Sequence, residues 1–141
     1  MSAIPVRPPI VKTVDLQTVV DVDGALVIAE AGRHFDFTVR RIFAISDVPA
    51  RTLRGEHGHK TMNELLICVS GAVEVIATDG VENMTVLLDS PKKGLFIPSG
   101  IWLSQRYLRP GTVLLALCDT LYDETDYLRD YEAFLAYRER T

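Results

Sequence analysis

Apolar residues in this chain come in short runs separated by turn-forming residues. Runs at Val11–Val14, Ala25–Ala29, Phe37–Ile45, Glu64–Val69, Ala72–Ala77, Met84–Leu88, Gly94–Ile97 and Val113–Cys118 predict strands. Between them stand Asp21-Val22-Asp23-Gly24, Ala31-Gly32-Arg33-His34, a loop over Asp47–Ala50, Ser70-Gly71, Asp79-Gly80, Ser90-Pro91, Pro98-Ser99-Gly100 and Pro110-Gly111. In the Phe37–Ile45 run, alternation puts Arg41, Phe43 and Ile45 on one face and Ile42 and Ala44 on the other. Many short strands with frequent turns predict an all-β fold, an antiparallel sandwich or barrel. The last segment changes period. Tyr127, Leu128, Tyr131, Phe134 and Leu135 recur at helical spacings, which predicts one amphipathic helix. Its start is expected near Asp123 or Thr125, both good capping residues, and its role is to close one end of the barrel. Residues 1–10, with Pro5, Pro8 and Pro9, read as an extended arm on a single domain spanning 1–141.

Composition narrows the function classes. A hydrophobic fraction of 48% with 24% charged residues is that of an ordinary globular protein. The net charge of −4 argues against a nucleic-acid partner. No apolar run is long enough to cross a bilayer, and the N-terminus lacks a signal-like core, so no membrane partner and a cytoplasmic location are expected. Cys68 and Cys118 each lie inside an apolar run and are expected as buried, reduced thiols.

The candidate chemistry lies in Arg54-Gly55-Glu56-His57-Gly58-His59-Lys60, with Glu64 and Gly71 downstream. Two histidines one residue apart project from the same face of a strand. Imidazole titrates near neutral pH, so a pair facing a barrel interior suits proton transfer or metal binding. Two histidines and a carboxylate are also a ligand set for a metal with open positions, which makes His57, His59 and Glu64 the alternative, metal-dependent reading. Arginine matches phosphate oxygens with planar donors, so Arg41 and Arg54 are candidates for an anionic ligand. Phe43 and Trp102 are candidates to flank a base or sugar. Glu124 and Asp126 read as helix-start charges.

The spacing His57-x-His59, Glu64, Gly71 resembles the first signature of the cupin superfamily, whose fold is a jelly-roll barrel. The second signature is degraded: Pro98-Ser99-Gly100-Ile101-Trp102-Leu103 places Leu103 where a further ligand would stand. A narrower resemblance covers most of the chain from about Gly24. Arg54-Gly55-x-His57-x-His59-Lys60, Leu66-Ile67-Cys68-Val69-Ser70-Gly71, Leu88-Asp89-Ser90-Pro91, Gly94-Leu95-x-Ile97-Pro98 and Tyr122-Asp123-Glu124-x-Asp126-Tyr127-Leu128-Arg129-Asp130-Tyr131 follow one another as in the nucleotide-sugar 3,4-ketoisomerases.

That resemblance implies a cupin jelly-roll barrel with one C-terminal helix, assembled as a homodimer with exchanged N-terminal strands. It implies an isomerase that moves the keto group between C4 and C3 of a dTDP-linked 4-keto-6-deoxyhexose through an enediol, with no cofactor and no metal. His57 and His59 are then the catalytic residues, His57 for the carbon-bound proton and His59 for the oxygen-bound protons. Arg41, Arg54, Phe43, Trp102 and Glu64 are the substrate-binding set. The chain departs from the family pattern at Asp23, Phe43, Ala44, Glu64 (commonly Gln) and Leu103, all near the expected pocket. A sugar-nucleotide-binding cupin without turnover is the further alternative.

Overall fold

The computed structural model describes residues 9–140, so the expected arm of residues 1–10 lies outside the described residues except for Pro9 and Ile10. Twelve strands and one helix follow in chain order. They are β1 (Lys12–Asp15), β2 (Gln17–Asp21), β3 (Gly24–Ile28), β4 (Arg41–Ile45), β5 (Leu53–His59), β6 (Glu64–Ser70), β7 (Val73–Thr78), β8 (Asn83–Leu88), β9 (Lys93–Ile97), β10 (Trp102–Tyr107), β11 (Val113–Cys118), β12 (Tyr127–Leu128) and α1 (Tyr131–Arg140). Two five-stranded sheets face each other, ordered β1-β9-β6-β11-β4 and β12-β5-β10-β7-β8, with every pairing antiparallel. This is the cupin-type barrel that the motifs imply. The hairpin β2–β3 pairs with no other strand among the described residues. None of the described helices is long and apolar enough to cross a membrane.

The core between the sheets is built from alternate positions, such as Val73, Val75 and Ala77 on β7 and Leu103 and Tyr107 on β10. A second apolar cluster lies on the outer face of the first sheet, where Leu65, Ile67 and Leu117 meet Leu16 and Phe35. Strand β6 is therefore covered on both faces. Glu64 to Cys68 are all buried, which is why that stretch reads as a continuous apolar run and does not alternate. Cys68 and Cys118 are buried free thiols, as expected.

Strand β4 and the helix differ from the sequence reading in their bounds. The Phe37–Ile45 run is a strand only over Arg41–Ile45, with Phe37 and Val39 packed on the outer cluster instead. The helix starts later than expected. Asp123 does cap a helical turn, but a single 3-10 turn over Glu124–Asp126, after which Tyr127–Leu128 pair with β5. The long helix begins only at Tyr131, where the Asp130 carboxylate accepts the Ala133 amide at 3.0 Å. Its fully buried Phe134 anchors it to the outer face of β5 and β10.

Candidate active site

Strand β5 carries the expected site, but plain alternation does not place its residues. Arg54 and His57 are three apart, which in a regular strand puts them on opposite faces. The pairing with β10 slips at this point. Leu103 lies across from His57 and Ser104 from Gly55, so Glu56 is an extra, bulged residue. Gly55 and Glu56 both take positive φ, +85° and +58°. The bulge brings Arg54 onto the inward face, opposite Gln105, together with His57 and His59. Gly58, between the histidines, faces outward. A Cβ there would stand 3.1 Å from the Ile101 carbonyl oxygen and 3.3 Å from the Phe134 ring, so the His-Gly-His spacing also makes room for the helix.

A cavity of about 170 Å³ opens between the sheets, lined by Phe43, Ile45, Arg54, Gly55, His57, Glu64, Gln105 and Arg129. A larger hollow of about 540 Å³ lies beside Lys12, Val14, Arg33 and Phe96, away from the histidine pair. The smaller cavity is the candidate site because it gathers a base, an acid, two guanidiniums and an amide. Gln105 accepts from the Tyr107 hydroxyl at 3.1 Å through its carbonyl, which leaves the amide N–H groups for a ligand.

The two histidines differ in environment. His57 lines the cavity. Burial lowers its proton affinity below the ordinary imidazole value, and the nearby Arg129 charge lowers it further. His59 lies deeper, with its ring centroid 5.1 Å from that of His57 and 4.3 Å from that of Tyr127. Its Nδ1 is 3.2 Å from Asp126 Oδ2. An ionised carboxylate only accepts, so Nδ1 carries the proton and Nε2 keeps the lone pair. Burial and the neighbouring His57 push His59 down to about 4, against the opposing pull of Asp126. Both rings are therefore neutral at pH 7. Asp126 is fixed in turn by the Thr61 amide at 2.8 Å and the Thr61 hydroxyl at 2.7 Å. Sequence reasoning missed this residue, because its partner is remote along the chain and its local context suggested a helix start.

The remaining expected residues divide. Arg54, Phe43 and Glu64 line the cavity. Glu64 is buried, which raises its carboxyl to about 7 despite the Arg41 charge nearby. Arg41 lies behind the cavity wall, its guanidinium 5.1 Å from the Phe43 ring and 5.5 Å from the Tyr122 ring, with its Nε buried and unpartnered. Trp102 does not join them. It sits on the outer face of β10, with its ring centroid 5.2 Å from that of Tyr131 and 5.6 Å from that of Phe134 on the helix. Leu103, by contrast, points inward and is buried in the core. Among the described residues no group of three His, Cys, Asp or Glu side chains is placed to hold a metal ion, so His57, His59 and Glu64 are not gathered as the metal-dependent reading requires. Asp126, Arg129, Gln105 and Tyr127 are the additions that the structure makes to the site.

Known proteins are similar to this chain in sequence and fold. A curated TDP-4-oxo-6-deoxy-alpha-D-glucose-3,4-oxoisomerase of Aneurinibacillus thermoaerophilus is 32% identical over 126 residues, 89% of this chain and 91% of that protein. A 3,4-ketoisomerase from Helicobacter canadensis superposes with a TM-score of 0.88 at 32% identity, covering 92% of this chain and 97% of that one. A sugar 3,4-ketoisomerase from Thermoanaerobacterium thermosaccharolyticum, solved in complex with TDP, gives 0.89 at 30% identity over 93% and 96%. The family model FdtA (WxcM-like, C-terminal) matches residues 10–139, and the chain belongs to that family.

Proposed function

We propose that the protein is a sugar-nucleotide 3,4-ketoisomerase acting on a TDP-linked 4-keto-6-deoxyhexose in deoxysugar biosynthesis. The observation that carries this reading is the placement of His57, neutral and lining a cavity that also holds Arg54, Gln105 and Glu64, in a chain of this family. The C4 ketone acidifies the hydrogen on C3. His57 takes that proton, and the C–H electron pair forms the C3–C4 double bond of an enediol while the C4 oxygen gains a proton. Loss of the proton from the C3 oxygen and delivery of one to C4 leave the ketone at C3. A neutral imidazole is a suitable base for such a carbon acid. His59, buried behind His57 and oriented by Asp126, serves the oxygen-bound protons.

The diphosphate is assigned to Arg54 at the cavity mouth, with Arg41 adding positive charge from behind the wall. Loss of a charged hydrogen bond costs about 1.5–3 kcal/mol. Arg54→Ala should therefore raise the dissociation constant for dTDP by roughly tenfold or more. Calorimetry showing unchanged affinity would remove Arg54 from the site.

We further infer a cytoplasmic homodimer. The two reduced thiols suit a reducing compartment. The isolated β2–β3 hairpin supports the dimer, because it leaves Val19, Val20, Val22 and Leu26 exposed and a lone two-stranded hairpin is marginal in water. Light scattering at micromolar concentration should return twice the chain mass; a monomer there would sink the dimer alone.

A further inference from the structure

The cavity has two unlike walls. The second sheet supplies Arg54, Gly55 and His57 from β5 and Gln105 from β10. The first sheet supplies Phe43 and Ile45 from β4 and Glu64 from β6. Glu64 is therefore the one polar side chain that the first sheet gives to the lining, on the wall across from His57. It is only 4% exposed, and the proton transfers described above do not use it. Burying a carboxyl costs free energy unless it is bonded, so its presence on an apolar wall asks for a reason.

Its surroundings do not supply that bond. Among the described residues the carboxyl accepts no hydrogen bond and forms no ion pair. Arg41 on β4 is the nearby charge, but its guanidinium lies over the Phe43 and Tyr122 rings and its Nε is itself buried without a partner. The strand neighbours of Glu64 are Ile97 on β9 and Cys118 on β11. Cys118 stays an uncharged thiol, pushed up to about 12 by burial and by Glu64 itself. Across the cavity His57 is kept neutral by burial, Gln105 carries no charge, and Arg54 and Arg129 are the cations of the lining. Burial outweighs the Arg41 charge and raises Glu64 to about 7, so the acid form is well populated at and below neutral pH. An ionised carboxylate only accepts, whereas the acid has one O–H to give. The carbonyl and ring oxygens of a keto sugar only accept, so a donor on this wall has a use.

We propose that Glu64 is a specificity-determining residue that works as a neutral acid, its O–H donating to an acceptor oxygen of the bound keto sugar. This rests on the sugar-nucleotide reading above and adds to it a group that reads the sugar part of the ligand. Arg54 recognises the diphosphate by charge, which does not change near neutral pH. Glu64 recognises the sugar by a donor that exists only in the protonated form. The competent form is present below the Glu64 midpoint and is lost as pH rises through it, because ionisation leaves one acceptor facing another.

The test is the pH profile of kcat/KM for TDP-4-keto-6-deoxyglucose in the wild type, Glu64→Gln and Glu64→Ala, with calorimetric titration of dTDP into each. This rate constant reports ionisations of the free protein. The wild type should lose rate on the alkaline side with a midpoint near 7, by about tenfold per pH unit beyond it. Glu64→Ala should lose roughly two- to tenfold below the midpoint, the worth of one neutral hydrogen bond, and show no alkaline limb. Glu64→Gln keeps a donor that does not titrate, so it should lose less than Glu64→Ala and also show no alkaline limb. dTDP lacks the sugar, so its affinity should stay close to wild type in both variants. If neither variant folds, the wild-type profile decides, with infrared spectra in which a protonated-carboxyl band should disappear over the same pH range. An alkaline limb that persists in Glu64→Gln, a wild-type profile or spectrum without the transition, or dTDP affinity lost in step with kcat/KM overturns the proposal and leaves the isomerase reading intact. A wild-type protein without isomerase turnover overturns that reading and this proposal together.

Discussion

Replacing His57 by asparagine should lower turnover by about 10²–10⁴-fold, the usual contribution of a general base, while leaving dTDP affinity nearly unchanged. Asparagine keeps a polar group of similar reach at the cavity wall but cannot accept the C3 proton. The loss should therefore appear in kcat. His59→Asn should lower the rate less, because solvent partly replaces an oxygen-proton shuttle and His59 does not line the cavity. The pH profile follows from environment. Burial favours neutral His57, so the base stays available below the ordinary imidazole value of 6.5, and the acid-side loss of rate should fall below that pH. An acid limb at or above it would show that another group is the base. Full turnover in His57→Asn would remove His57 from that role and leave the isomerase reading to be rebuilt on His59.

The largest expected effect on stability is at Phe134. Its side chain is fully buried and is the helix's main anchor to the barrel. Phe→Ala in a core costs about 3–5 kcal/mol through lost burial and the cavity left behind. For a domain of this size, about 3 °C of melting temperature is lost per kcal/mol, so Phe134→Ala should melt roughly 10 °C below wild type. The same substitution should also lower activity. Phe134 packs at Gly58, the residue between the two histidines, and the helix further ties to the strand end through the Tyr137 hydroxyl, which donates to the Lys60 carbonyl at 3.3 Å. A melting temperature within a few degrees of wild type would mean that the helix is docked by the surrounding Trp102 and Tyr131 contacts instead.

The barrel was legible because most strands carry their own punctuation. Turn residues such as Asp79-Gly80 sit where the chain reverses between β7 and β8. Strand β10 gives no clear strand signal, since its inward positions are Leu103, Gln105 and Tyr107, and a buried glutamine breaks the apolar pattern. Strand β2 was missed for a related reason, because its valines belong to an exposed hairpin. At the site, the histidines, Arg54 and Glu64 announced themselves by residue type and spacing. The bulge at Glu56 that aligns Arg54 with His57 is a property of pairing with β10 and has no signal in β5 beyond Gly55. Tyr127 and Asp126 read as helical in the sequence because Tyr127, Leu128, Tyr131 and Leu135 repeat at helical spacing. Pairing with β5 overrode that periodicity over Tyr127–Leu128 and placed the tyrosine between the histidines and Arg129. Trp102 is the opposite error, an aromatic beside a motif that packs outward on a helix.

This cavity is expected to carry out proton transfer between adjacent carbons of a bound keto sugar. The most direct test is proton NMR of the purified protein with TDP-4-keto-6-deoxyglucose in D₂O. The expected result is a TDP-linked 3-keto product carrying deuterium at C4, with deuterium exchange at C3 of unreacted substrate and loss of both signals in His57→Asn. A wild-type protein that binds the nucleotide sugar yet yields neither the 3-keto product nor exchange would contradict it and leave a sugar-nucleotide-binding cupin without turnover.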